Sequence, residues 1–212
     1  MKLLTRIANL CGTDKGTVVS ECHGYTEFYD NFFKKYIDKE VNILEIGIFD
    51  GGSLKMYNTY FGDKCQIYAL DIENKEHLNS DNIHTFICDQ GNREDLENFK
   101  NSIGDIKFDI IIDDGCHLSK YQTTSFYMLH DLLKEDGLYI IEDLHCYEWE
   151  EEHKEYSIIQ SLIFNESFRG LSEDENDYLR SRIDTVQIWS RNNEKSSFDN
   201  KKSITSIIRL KN

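Results

Sequence analysis

The sequence predicts an α/β fold, a doubly wound and mostly parallel seven-stranded sheet that ends in an antiparallel hairpin. Three observations carry that expectation. Short β-rich apolar runs alternate with longer amphipathic ones, the pattern of strand–helix units. Most of the runs in the first two thirds of the chain are almost continuously hydrophobic, as strands buried on both faces are. The last two β-rich runs are joined by a polar stretch with no helical pattern, so they pair antiparallel.

The elements follow in order. Residues 1–40 form a helical segment ahead of the sheet: a capping turn at Thr13 and Asp14, then an aromatic helix carrying Tyr25, Phe28, Tyr29, Phe32 and Phe33. Five strands are expected at "VNILEIGI" (41–48), "QIYALDI" (66–72), "IHTFIC" (83–88), "FDIIID" (108–113) and "GLYIIED" (137–143). Between them "GSLKMYNTYF", "REDLENFKNSI" and "KYQTTSFYMLHDLLK" place apolar residues three and four apart, which makes them helices. An acidic insertion at 146–181, with "EWEEEHKE" and "SEDENDY", reads as helical, partly solvated, and a wall for an acceptor pocket. "DTVQIWSR" and "KSITSIIRL" form the closing hairpin. With 39% hydrophobic residues the 212-residue chain reads as a single domain over 1–212.

Composition narrows the function. A formal net charge of −15 opposes any electrostatic grip on nucleic acid or on an anionic membrane, so neither is expected as a partner. The six cysteines include no C-x-x-C pair, which disfavours a zinc site or a disulfide framework and suits reduced thiols in a cytoplasmic protein. No run approaches the roughly 20 apolar residues of a membrane span.

The chemistry gathers where strands end. "LEIGIFDGGS" sets Gly47, Gly51 and Gly52 between a strand and a helix, where the backbone must turn sharply and approach a ligand beside a helix N-terminus; Ser53 follows them. The spacing is not the dinucleotide pattern G-x-G-x-x-G, and Glu45 lies inside the strand, which weakens an NAD reading. The next strand ends in "ALDI", putting Asp71, followed by Ile72, where an acid hydrogen-bonds a ribose diol. The third ends in "ICDQGN", putting Asp89, followed by Gln90, where a side chain faces an adenine. The fourth and fifth run straight into charge, "DDGCH" and "EDLH". Three carboxylates gathered at neighbouring strand ends repel one another unless a cation sits between them, and an all-oxygen set suits hard magnesium or calcium.

These residues resemble the class I S-adenosylmethionine-dependent methyltransferases, and more narrowly the macrocin and mycinamicin O-methyltransferase group, which methylates sugar hydroxyls. The resemblance rests on "GTDKG" (12–16), "HGYTEFYDNFF" (23–33), "ILEIGIFDGGSLKMY" (43–57), "YALDI" (68–72), "FDIIIDDGCH" (108–117), "SF" (125–126) and "GLYIIEDLH" (137–145), in the family's order. It covers roughly residues 8–145; the final hairpin, with "TVQIWSRNN" in place of an "HFYD"-like stretch, fits only in outline.

The resemblance implies a Rossmann-like sheet, S-adenosylmethionine as methyl donor, and a magnesium ion held by Asp114, Glu142 and Asp143. It implies His117 as general base, with His145 in reserve. It folds "GTDKG" and "HGYTEFYD" over the mouth of the site as a lid, with Lys15, His23 and Tyr25 as contacts. The cofactor set is then Glu45, Gly47, Gly51, Ser53, Asp71, Ile72, Asp89, Gln90, Lys15 and Tyr25, together with Asp113, which also supports its strand end. The acceptor it implies is a hexose or heptose hydroxyl, free or nucleotide-activated, in polysaccharide or glycosylated natural-product synthesis, and homo-oligomeric assembly is the corresponding expectation, as related enzymes often assemble. The alternatives are a methyltransferase for another small metabolite, a nucleotide-binding module without catalysis, and an NAD-binding protein.

Overall fold

The computed structural model describes residues 1–19, 22–144, 158–192 and 202–211. Helices α1 (Leu3–Cys11) and α2 (Thr26–Phe33) precede β1 (Val41–Ile46), which leads into α3 (Gly52–Phe61), β2 (Cys65–Asp71), β3 (Ile83–Ile87) and α4 (Arg93–Ile103). Strand β4 (Phe108–Asp113), α5 (Ser119–Leu129) and β5 (Leu133–Ile141) follow. The chain then forms α6 (Ile158–Phe164), α7 (Glu173–Arg182), β6 (Ile183–Asn192) and β7 (Lys202–Leu210).

One seven-stranded sheet runs in the order β3-β2-β1-β4-β5-β7-β6. The first five strands pair parallel, and β7 pairs antiparallel with both β5 and β6. The expected architecture is therefore present. Its inner strands are hydrophobic on both faces because both faces are covered: Ile43, Ile110, Ile112 and Ile140 join the core under α1, α2 and α3, while Leu44, Ile111, Tyr139 and Ile141 join the core under α4 and α5. Sheet order reverses between β1 and β4, and in such sheets ligands enter the crevice at the carboxyl ends of the strands on either side of that reversal.

Local chemistry sets the helix ends. Gly12, at φ 76°, closes α1; Asn92 caps α4 by accepting from the Glu94 amide; Ser172 and Glu175 form a reciprocal capping box on α7. The expected helix over 120–134 is shorter, because α5 stops at Leu129 and Leu133 and Lys134 open β5 beside Phe108. Two helices occupy the described part of the acidic insertion, and 146–157 lie outside the described residues. Among the described residues no helix is long and apolar enough to cross a membrane. Cys11, Cys65, Cys88 and Cys116 are free thiols, and Cys146 lies outside the described residues.

Candidate active site

The loop after β1 is fixed from below by the end of β2. The Gly47 amide donates to the Leu70 carbonyl, and Asp71 accepts from the amides of Ile48 (2.9 Å), Phe49 (3.3 Å) and Glu73 (2.9 Å). One lone-pair position of the Asp71 carboxylate is left for a ligand. Gly47 sits at φ 89°, and a β-carbon there would fall 2.2 Å from the Asp114 carbonyl. A side chain cannot fit while the β1 and β4 loops touch, so Gly47→Ala is expected to cost about 3 kcal/mol of stability, measurable by urea denaturation.

Gly51 starts α3 at φ 80°, and Ser53 in its first turn donates to Glu45 at 2.6 Å. Glu45 is wholly buried, and its other oxygen takes no hydrogen bond among the described residues. Burial pushes its carboxyl up to about 7, against the pull of Lys15 and the Ser53 hydroxyl. The folded state then binds this proton more tightly than the unfolded chain does, so the carboxyl costs nothing at low pH and its penalty grows as pH rises. Stability is expected to fall between about pH 4.5 and 7 by at most roughly 3 kcal/mol through this group. Urea midpoints across that range should show the slope, and Glu45→Gln should reduce it.

The acids on β3 and β4 divide into structural and open ones. Asp113 is buried and accepts from Gln90 at 3.0 and 3.2 Å, from the Ser125 hydroxyl and from the Gly115 amide. Gln90 also accepts from the Cys116 amide, so these two residues brace the β3 end against the D-D-G loop. Asp89 accepts from the Gly91 amide at 2.8 Å. Ile72 and Phe49 remain 70% and 87% exposed beside Asp71, leaving an apolar rim on the crevice.

The charged centre lies at the ends of β1, β4 and β5. One ligand atom from each of Asp114, His117 and Asp143 lies within 4.8 Å of the others. His117 Nε2 is 3.5 Å from Asp143 Oδ2, and His117 Nδ1 is buried with no hydrogen-bond partner among the described residues. Both His117 (φ 64°) and Asp143 (φ 52°) hold left-handed backbone, as does Phe49 (φ 51°). Such backbone is unfavourable for a histidine or phenylalanine and persists where the surroundings impose it, commonly at ligand sites. On the protein side, the buried Tyr25 hydroxyl donates to Asp143, and His23 Nδ1 stands 3.7 Å from the same carboxylate and 2.9 Å from the Ser203 hydroxyl.

Glu142 faces a different partner. Its oxygens accept from Lys15 Nζ at 2.8 Å and from the Tyr29 hydroxyl at 3.0 Å, and Tyr29 also meets the Thr205 hydroxyl. Lys15 is 1% exposed; it also donates to Asp114 and stands 3.7 Å from Glu45. Burial alone would lower the lysine, but Asp114 and Glu142 override it and hold it well above the ordinary value. Burial raises both Asp114 and Glu142, Lys15 opposing it. A single ammonium therefore meets Asp114, Glu142 and Glu45, and Asp143 adds further charge next door. This surplus of negative charge around open oxygen donors fits a hard divalent cation.

The sequence-derived residues thus sort by position. Gly47, Gly51, Asp71, Ile72 and Asp89 lie at or just beyond the carboxyl ends of β1, β2 and β3, with Glu45 and Ser53 buried behind them. Asp113 and Gln90 brace the loops, Asp114, His117 and Asp143 converge beyond β4 and β5, and Glu142 accepts from Lys15. Lys15 and Tyr25, expected at the cofactor, are buried and directed at carboxylates. His145 lies outside the described residues. The roles of Tyr29, Thr205 and Ser203 were not legible beforehand: each is an ordinary aromatic or strand residue, and the partners stand 113 to 180 positions apart.

Sheet order and crevice together define the class I methyltransferase fold. Within that class, the chain is similar to the macrocin and mycinamicin sugar O-methyltransferases. It is 40% identical over 134 residues to demethylmacrocin O-methyltransferase of Streptomyces fradiae, a match covering 60% of this chain and 33% of that protein. It is 38% identical over 134 residues to mycinamicin VI 2''-O-methyltransferase of Micromonospora griseorubida, again covering 60% and 33%. Among solved structures it superposes on the MycE methyltransferase of the mycinamycin biosynthetic pathway, solved with Mg, SAH and mycinamycin VI. There the TM-score is 0.74 at 28% identity, covering 98% of this chain and 54% of that one. The matches span about a third of the length of these curated relatives. No protein-family model matches the chain.

Proposed function

We propose that this chain transfers a methyl group from S-adenosylmethionine to a sugar hydroxyl, assisted by a divalent metal ion. The observation that carries the reading is the convergence of Asp114, His117 and Asp143 just beyond the carboxyl ends of β4 and β5. The likeness to sugar O-methyltransferases, and to one solved with Mg and SAH, supports it.

Each residue then has a task. Asp71 takes the ribose diol, Ile72 and Phe49 offer apolar surface to the adenine, and Asp89 lies at its edge. The tight turn at Gly47 and the α3 N-terminus, with Gly51 and Ser53, receive the donor's amino-acid end. Asp114, Glu142 and Asp143 would hold the cation, which when bound would supply positive charge that acidifies and orients adjacent hydroxyls. His117 takes the hydroxyl proton; its backbone is set by the D-D-G loop and its ring faces Asp143, which stabilises the imidazolium that forms. The sugar oxygen attacks the sulfonium methyl carbon as the bond from that carbon to sulfur breaks, leaving S-adenosylhomocysteine, and fixed alignment lowers the barrier. Residues 1–19 and 22–40 would wall the mouth and exclude water.

The acceptor is a hexose or heptose hydroxyl, free or nucleotide-activated. The test is transfer of labelled methyl to a panel of hexosides, heptosides and their nucleotide-activated forms with magnesium present. Transfer to a sugar oxygen supports the reading. Donor binding without transfer to any of them, alongside methylation of another metabolite, would move the assignment to that metabolite.

A further inference from the structure

The residues proposed to receive the donor lie at the ends of β1, β2 and β3, so an acceptor that meets His117 extends the other way, over the ends of β5, β7 and β6. Strand β6 finishes there. Ile141 of β5 registers with Ser206 of β7, the Leu144 amide donates to the Ile204 carbonyl, and Ser203 of β7 registers with Arg191 of β6. The pairing brings Arg191 to the rim of the acidic centre. The Ser203 hydroxyl meets His23 Nδ1 at 2.9 Å, and His23 stands 3.7 Å from Asp143. The next residue, Gly24, lies against the guanidinium: it holds φ 75°, and a β-carbon there would collide with Arg191 Nη1. Trp189, two residues earlier on the same face of β6, packs on Tyr25 and Phe28 and ties the strand to α2.

A guanidinium carries five N–H donors. Among the described residues, the carboxylate that meets Arg191 is Glu27, at 3.3 Å and half exposed. An ion pair so open to water is weak, so an anion arriving with the acceptor can displace the glutamate. Arg191 also falls within "TVQIWSRNN", where the likeness to the sugar O-methyltransferases holds only in outline, so that resemblance gives it no task.

We propose that Arg191 selects the acceptor by pairing with an anionic group, a phosphate or a carboxylate, that the sugar carries on the side facing β6. The inference rests on the sugar-methylation reading above and narrows its acceptor to an anionic sugar. A chain of net charge −15 repels such a molecule unless a cation waits at the mouth, and the planar fork of arginine grips phosphate or carboxylate through two parallel hydrogen bonds. Arg191 takes no part in bond making.

The test is methyl transfer to matched forms of one sugar, its neutral methyl glycoside, its 1-phosphate, its nucleoside-diphosphate form and its uronic acid, by the wild type, Arg191→Ala, Arg191→Lys and Glu27→Gln. The wild type should favour an anionic form by about ten- to a hundredfold in kcat/KM. Whether a phosphate or the uronate is preferred identifies the source of the charge. In Arg191→Ala that preference should vanish through KM with kcat unchanged, because the remote anion is bound alike in the ground and transition states, and the neutral glycoside should react as before. Arg191→Lys should restore part of the preference. Glu27→Gln, which frees the guanidinium, should lower KM for the anionic form, a gain that no folding defect imitates. A wild type that prefers the neutral glycoside, or an Arg191→Ala variant that loses equally on neutral and anionic forms, overturns the inference. Donor binding with no transfer to any sugar would instead defeat the sugar-methylation reading itself, so the two failures are distinguishable.

Discussion

Replacing His117 by alanine is expected to lower the rate of methyl transfer by about two to four orders of magnitude while leaving donor binding unchanged. The size follows from the proposed job: a sugar hydroxyl is a very weak acid, and the imidazole facing Asp143 is the proposed proton acceptor. The selectivity follows from position. The His117 ring faces Asp143 and not the Gly47–Ser53 turn or Asp71 proposed to receive the donor, so calorimetric titration with S-adenosylhomocysteine should give the wild-type constant. The backbone adds a check. Alanine at φ 64° meets the same left-handed backbone as histidine and removes no helix or core contact, so stability should change by less than about 1 kcal/mol. A variant that keeps full activity would transfer the base to another group.

Asp143→Asn is expected to be nearly as damaging, with a different signature. The amide keeps the size of the carboxylate and can still accept from Tyr25, but the charge facing His117 and the cation is gone. Metal affinity should fall by about 10- to 100-fold or more and transfer with it, and part of the activity should return at high magnesium. His117→Ala should show no such rescue. Titrating magnesium against the rate for both variants separates the two roles.

Much of the fold was legible because its signals are local. The apolar run at 108–113 and the β-rich run at 202–210 coincide with β4 and β7, and the helix over 52–61 coincides with α3, where glycine and amphipathic spacing marked both ends. The boundary at Leu133 was not legible: Leu129, Leu132 and Leu133 continue a helical spacing, and only pairing of Leu133 with Phe108 turns the chain into β5. At the site, the acids announced themselves by ending hydrophobic strands. Their division of labour did not. Glu142 and Asp143 are adjacent in sequence and sit on opposite sides of the cluster, one at Lys15 and Tyr29, the other at Tyr25, His23 and His117. Alternation along an extended backbone predicts that they diverge, but not which partners wait on each side, because those come from the segment ahead of β1 and from the loop after β4.

The central claim, that a cation gathered by Asp114, Glu142 and Asp143 assists methyl transfer to a sugar hydroxyl, is tested most directly by following labelled methyl transfer before chelation, after excess chelator, and after magnesium is restored. The account predicts that transfer stops on chelation and returns with magnesium while the donor stays bound throughout. Transfer that continues undiminished in excess chelator would contradict it.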